Sequence, residues 1–183
     1  MKNFSIRRSK RENLTLIKTL MRDSIEILQK PFLSPAQISA SFEVMGLDTQ
    51  LIDDGSYFCV WAHDIRMKDT LLVGCGGWSF RNTLYGGNHS KGRDAQKLDP
   101  KCDAARIRAM YTHPDWVRQG IGRLILTTCE QAARDAGFVR AEMMATLAGV
   151  PLYEKCGYTK IEQHVDITTD GSQIPLVRMG KSL

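Results

Sequence analysis

Long apolar runs are missing from this chain. No stretch of its 183 residues approaches the ~18 consecutive apolar residues that a membrane-crossing helix needs, so no membrane partner is expected. The basic start, with Lys2, Arg7, Arg8, Lys10 and Arg11, is not followed by an apolar segment, which argues against a secretory signal. Cysteine is sparse and dispersed. Cys59, Cys75, Cys102, Cys129 and Cys156 form no Cys-x-x-Cys pair, so neither a zinc site nor a dithiol motif is expected. An odd, scattered set reads as reduced thiols and a cytoplasmic location, with Cys59 and Cys75 as small core residues inside apolar stretches. His63, His89, His113 and His164 show no metal-ligand spacing, so no metal is expected. Repeats and low-complexity segments are lacking too. The composition, 43% hydrophobic and 25% charged, is that of a soluble globular protein, and the length fits one domain spanning 1–183.

What is present has an ordered pattern. Phe4 to Arg8 is a candidate strand. Ser9-Lys10-Arg11-Glu12 has the form of a capping box, and Ile17, Leu20, Met21, Ile25 and Leu28 then recur at helical spacing. Ser34-Pro35-Ala36-Gln37 starts a second helix, given an apolar stripe by Ile38, Phe42 and Met45 and ended by Gly46. Tyr57 to His63 and Thr70 to Phe80 read as a hairpin, in which Gly74, Gly76 and Gly77 point to a bulge or a close backbone approach. Residues 82–103 are polar and glycine-bearing and interrupt the pattern between two strands, as an insertion within the domain. A strand from Ala105 to Thr112, a helix from about Gly120 to Gly137, a strand from Val139 to Thr146, a short helix at Pro151–Lys155 and a hairpin across Asp170-Gly171 complete the chain. The order β-α-α-β-β-β-α-β-α-β-β predicts an α/β fold, a mixed sheet of about seven strands flanked by helices.

The formal net charge is +5. The basic residues near the N-terminus read either as a solvated surface or as affinity for a polyanion, and the cluster alone does not choose. No nucleic-acid recognition motif accompanies it, so no nucleic-acid partner is expected.

The chemistry-bearing stretch runs from Met110 to Arg123. A strand ends at His113-Pro114, a loop turns, and an amphipathic helix begins at Gly120-Ile121-Gly122. The first turn of a helix offers unpaired amides at the positive end of its dipole. Glycines there let a pyrophosphate approach them, and Arg118 and Arg123 add charge. A dinucleotide fingerprint would need a third glycine where Ile125 stands, and a P-loop would need Gly-Lys-Ser/Thr where Gly122-Arg123-Leu124 stands, so both are excluded.

Val117-Arg118-Gln119-Gly120-Ile121-Gly122 resembles the acetyl-CoA loop, Gln/Arg-x-x-Gly-x-Gly/Ala, of the GNAT N-acetyltransferase superfamily. Leu152-Tyr153-Glu154-Lys155-Cys156-Gly157-Tyr158 resembles a second segment of that family at the expected separation, and the element order fits over nearly the whole chain. The family's Gln/Arg position is Val117 here, its frequent Asn after the fifth strand is Thr146, and its Ala is Gly149. The resemblance implies a single-domain fold with a mostly antiparallel sheet. It also implies acetyl-CoA as co-substrate and transfer of the acetyl group, in a ternary complex, to a primary amine of a small molecule or protein. Val117, Arg118, Gln119, Gly120, Ile121, Gly122 and Arg123 would hold the pyrophosphate. Met110, Tyr111 and Thr112 would offer backbone groups to the pantetheine arm like one more strand, given a splayed edge and a bulge near Met110. Tyr153 would protonate the departing thiolate.

The general base has no clear candidate, since Arg106 stands where some relatives carry Glu. Glu142 on the fifth strand is either a base acting through water or an ion-paired residue. Arg106 and Arg108 alternate with Ile107 and Ala109, so they share one side. On the acceptor cleft they would favour a substrate bearing carboxylate or phosphate; otherwise they are surface charges. Trp78 is either a wall of the acceptor pocket or core. The main reading is thus an acyltransferase, with room for a homodimer. The alternative is an acyl-CoA-binding regulatory module without turnover. Residues 82–103 are expected at the acceptor rim, apart from the cofactor loop.

Overall fold

A computed structural model describes residues 3–63 and 70–183; Lys2 of the basic cluster lies outside them. Strand β1 (Asn3–Arg8) is followed by helices α1 (Leu14–Leu28), α2 (Pro35–Val44) and α3 (Thr49–Asp53). Strands β2 (Tyr57–His63), β3 (Thr70–Ser79) and β4 (Ala105–Thr112) come next. Then follow α4 (Ile121–Asp135), β5 (Arg140–Thr146), α5 (Val150–Lys155), β6 (Thr159–Ile167) and β7 (Gln173–Ser182). The strands form one seven-stranded sheet in the order β1-β2-β3-β4-β5-β7-β6. Every neighbouring pair is antiparallel except β4 and β5.

Each face of the sheet carries its own core. On one side α4 packs over β2, β3 and β4, burying Ile121, Ile125, Leu126 and Cys129 against Val60, Val73, Ile107 and Met143. On the other, α1 packs on β3 and β4 and α2 on β7. Ile17, Leu20 and Met21 of α1 are buried there with Tyr57, Cys59, Leu72 and Cys75. A fully buried aliphatic side chain contributes about 1.5–3 kcal/mol, so these two stripes are what hold the helices to the sheet. The β3 glycines set how close α4 comes. A Cβ on Gly76 would sit 2.7 Å from Ile125 Cγ2 and 2.8 Å from Met110 Cγ, and the β3–β4 register shifts between Cys75 and Gly77.

Three local expectations change. Ser9 does not cap α1: its amide is taken by the Tyr57 carbonyl at 2.8 Å, extending the β1–β2 pairing. The chain instead makes a 3₁₀ turn at Arg11–Asn13, with the Lys10 amide donating to Asn13 Oδ1, and α1 starts afterwards. The Ser34–Gln37 capping box forms, but the buried face of α2 is Ala40, Ser41 and Val44, while Phe42 is 36% exposed. Small residues let α2 lie close to β7, which turns Phe42 outward. Finally, α3 is an added helix, capped by the Asp48 side chain on the Gln50 amide.

Candidate active site

The site is made by a fork in the sheet. The parallel strands β4 and β5 pair only at Ala105–Ala141 and Arg106–Glu142, and beyond that point they diverge. Ala109 takes a left-handed conformation (φ 50°) just inside the divergence. Across the crotch of the fork, Arg106 donates to Glu142 Oε2 at 2.9 Å, and Arg178 of β7 donates to the same oxygen at 2.8 Å. Arg106 also reaches Asn82 Oδ1 at 3.2 Å. A carboxylate carrying two guanidinium partners is a structural clasp, and neither Arg106 nor Glu142 lines the cavity above it. Trp78 is likewise away from the cavity, 7% exposed and edge-on to both Phe80 and Phe138.

Through the fork runs a cavity of about 570 Å³, walled on both sides of the sheet. On the α4 side it meets the Val117–Arg123 loop. The loop turns through two left-handed residues, Arg118 (φ 63°) and Gly120 (φ 85°), on either side of Gln119. No side chain caps α4 and no acidic residue stands in its first turn, so the first-turn amides are left to outside partners. Gly120 has no atom within 4 Å of where a Cβ would be. Gly122 differs: a Cβ there would lie 2.7 Å from Leu152 Cδ2, so this glycine makes room for α5 against α4. Met110, Tyr111 and Thr112 line the cavity from β4, with the Met110 side chain against the α4 core. Val117, Arg118, Ile121 and Arg123 line it too, whereas Gln119 does not. An uncapped helix end flanked by Arg118 and Arg123, opening on a slot between strands, suits a pyrophosphate with a long thin arm.

Tyr153 of α5 borders the same cavity. Its ring is packed edge-on to Tyr158 at 6.2 Å, and a Cβ on Gly149 would come within 2.7 Å of it. Among the described residues no group hydrogen-bonds its hydroxyl. Burial pushes its phenol well above the ordinary range, so it stays protonated.

On the other side of the sheet the cavity is bounded by α1, the end of α2 and the 82–103 segment, from which Leu84, Tyr85 and Gly86 face it. That segment has no helix or ladder beyond an Arg81–Lys97 bridge. It is fixed by polar ties: Arg93 donates to the Gly87 carbonyl at 2.8 Å and to Asp48 Oδ1 at 2.7 Å. Tyr85 donates to Asp166 of β6 at 2.9 Å. Arg108, 4% exposed, extends from β4 into this wall and donates to Asp48 Oδ2 and to the Gly86 carbonyl, each at 2.7 Å. Asp48, Arg93, Tyr85, Ser24 and Gln29 were not singled out from sequence. Only Asp48 carried a usable cue, as the helix-capping residue two places before Gln50.

Among the described residues no group of His, Cys, Asp or Glu could hold a metal ion, and no helix is long and apolar enough to cross a membrane.

A family model described as the acetyltransferase (GNAT) family matches residues 21–158, well over half of the chain. Solved structures share the fold. A GCN5-related N-acetyltransferase from Rhodopseudomonas palustris matches at 19% identity and TM-score 0.67, covering 100% of this chain and 98% of that one. PaiA N-acetyltransferase from Thermoplasma acidophilum, solved with coenzyme A, matches at 15% identity and TM-score 0.61, covering 99% of each. The ribosomal-protein-S18-alanine N-acetyltransferase of Escherichia coli matches at 14% identity and TM-score 0.56, covering 98% of this chain and 94% of that one. No curated protein sequence matches the chain significantly.

Proposed function

The chain belongs to the acetyltransferase (GNAT) family, and is an acyltransferase by that membership; from this premise we propose that it moves the acetyl group of acetyl-CoA to a primary amine in a ternary complex, as one domain. One observation carries the reading: the uncapped start of α4 and Tyr153 border one cavity, which runs through the β4–β5 fork to the far side of the sheet. Donor and acceptor can therefore approach from opposite faces.

In this reading the amides of the α4 first turn, with Arg118 and Arg123, hold the pyrophosphate. The diverging edge of β4 at Met110–Thr112 orders the pantetheine arm. Acetyl-CoA supplies an activated thioester. Attack by a neutral amine forms the C–N bond and breaks the C–S bond; Tyr153 gives its proton to the thiolate, the amine's proton passes to solvent, and Tyr153 takes one back from solvent. Holding the two reactants in one slot converts collision into proximity. A thiol of pKa ~8.5 leaves fairly well, so positioning contributes more than the acid does. Protein and small-molecule amines both remain within this reading, and a cytoplasmic location is part of it.

Thiol release from acetyl-CoA with a panel of amines tests the activity, and calorimetry tests the placement. Arg118→Glu and Arg123→Glu should each weaken acetyl-CoA binding roughly tenfold, since each reverses a charge at the anion site. Unchanged affinity in both variants would remove the loop from the cofactor site. Binding without turnover across the panel would leave an acyl-CoA-binding regulatory module.

A further inference from the structure

The acceptor half of the cavity is polar in an uneven way. Ser24 of α1, Gln29 at the end of α1 and Arg108 of β4 line it, and they are only 7%, 6% and 4% exposed. None has its hydrogen-bonding capacity used up. Among the described residues no group pairs with the Ser24 hydroxyl. The side-chain amide of Gln29 makes one weak contact, to the Met45 sulfur at 3.9 Å. Arg108 Nε is buried without a partner. An unpaired buried donor is costly, and a wall that sets Arg108 Nε beside two polar side chains with capacity to spare suits something that accepts hydrogen bonds.

The charges point the same way. Arg108 and Arg93 both donate to one carboxylate, that of Asp48, so the cluster holds two positive charges against one negative. Among the described residues no aspartate or glutamate lines the cavity, while Arg108, Arg118, Arg123 and Lys155 do. Arg118 and Arg123 flank the start of α4 and Lys155 ends α5, which leaves Arg108 as the cation of the acceptor half. The nearby Asp166 does not line the cavity and is held by the Tyr85 hydroxyl and the His164 ring, each at 2.9 Å. A polycationic acceptor would bring further positive charge against an unbalanced, desolvated guanidinium, with no carboxylate in the wall to receive it.

We propose that the acceptor is a primary amine that itself carries a carboxylate, received by Arg108 with Ser24 and Gln29 as neutral hydrogen-bonding partners. This rests on the acetyl-transfer reading above. Arg108 thereby acts as a specificity residue, and the amine is left as the reacting end.

The test uses the wild-type protein with saturating acetyl-CoA and matched acceptors: glycine, β-alanine, L-methionine, L-phenylalanine and L-glutamate, each beside its primary carboxamide, with O-phosphoethanolamine and spermidine. The expected result is a kcat/KM for at least one carboxylate roughly tenfold or more above its amide, the scale of one hydrogen bond to a charged group, with spermidine at background. Amides or spermidine used as well as the carboxylates would overturn the proposal, and so would no turnover of any carboxylate. A preference for O-phosphoethanolamine would also overturn it, in favour of a phosphate acceptor. Calorimetry with acetyl-CoA alone separates the two levels: no binding sinks the acetyl-transfer reading itself, whereas binding with turnover of another amine class sinks only the acceptor assignment. In Arg108→Gln the carboxylate-to-amide ratio should fall to about one through KM. Because Arg108 also ties Asp48 to the loop, Gln29→Leu serves as the second variant. It breaks no ion pair and should raise KM for the preferred carboxylate severalfold, with acetyl-CoA affinity unchanged. A ratio untouched by either folded variant would overturn the role given to this wall.

Discussion

Tyr153 combines a fixed ring with a free hydroxyl. Tyr158 and the space left by Gly149 hold the ring, and the hydroxyl has no protein partner among the described residues. Tyr153→Phe removes the oxygen and leaves the packing. Its kcat is expected to fall roughly ten- to a thousandfold, the lower part of what a positioned acid contributes, with little change in acetyl-CoA affinity. Wild-type turnover in the Phe variant, with chemistry limiting, would make Tyr153 a packing residue. The pH dependence has a definite sign. Burial raises the phenol pKa, so the acid form persists through the neutral and mildly alkaline range. A plot of kcat between pH 7 and about 10 should therefore show no fall that disappears in Tyr153→Phe. Tyr153 was legible from sequence because it belongs to a short contiguous segment. The Arg108–Asp48–Arg93 cluster was not, since Asp48 and Arg108 stand 60 residues apart and meet only through the folded loop. Alternation correctly puts Arg106 and Arg108 on one side of β4. It carries no information on where along the strand the fork opens, and that position decides that Arg106 clasps Glu142 while Arg108 enters the cavity.

Between α4 and α5 the contact is set by one missing side chain. Gly122 and Gly120 look equivalent in sequence, as two glycines at a helix start. Gly120 faces open space in a left-handed conformation, and Gly122 faces Leu152. Gly122→Val should therefore overpack the α4–α5 contact and cost about 1–3 kcal/mol of stability. Leu152→Ala in the same chain should restore part of that loss, which denaturant unfolding of the two single variants and the double variant would measure as a coupling. Additive effects would show that the two positions do not press on each other. The longer helices and the strands were readable because their apolar periods are long. The exceptions are instructive: α3 spans only Thr49–Asp53, too short for a period, and the exposed Phe42 follows from the fit of small residues to β7, a property of two elements together.

At the scale of the molecule, β1 to β4 and β5 to β7 make two half-sheets, and the ladder between them consists of two residue pairs, the second of which carries the Arg106–Glu142–Arg178 clasp. The rest of the seam has backbone groups but no strand to satisfy them. A ligand that occupies the seam binds only the folded chain, so mass action couples its concentration to unfolding. At a free acetyl-CoA concentration of ~100 times its Kd the folded state should gain about 2.7 kcal/mol, a rise in Tm of roughly 5–10 °C for a chain of this size. Calorimetric scans across an acetyl-CoA series would follow the rise, and a flat Tm would show that acetyl-CoA does not bind the folded chain in preference to the unfolded one. The fork thus makes the protein's heat resistance a function of how much donor surrounds it, so that enzyme held with acetyl-CoA should outlast the same enzyme deprived of it.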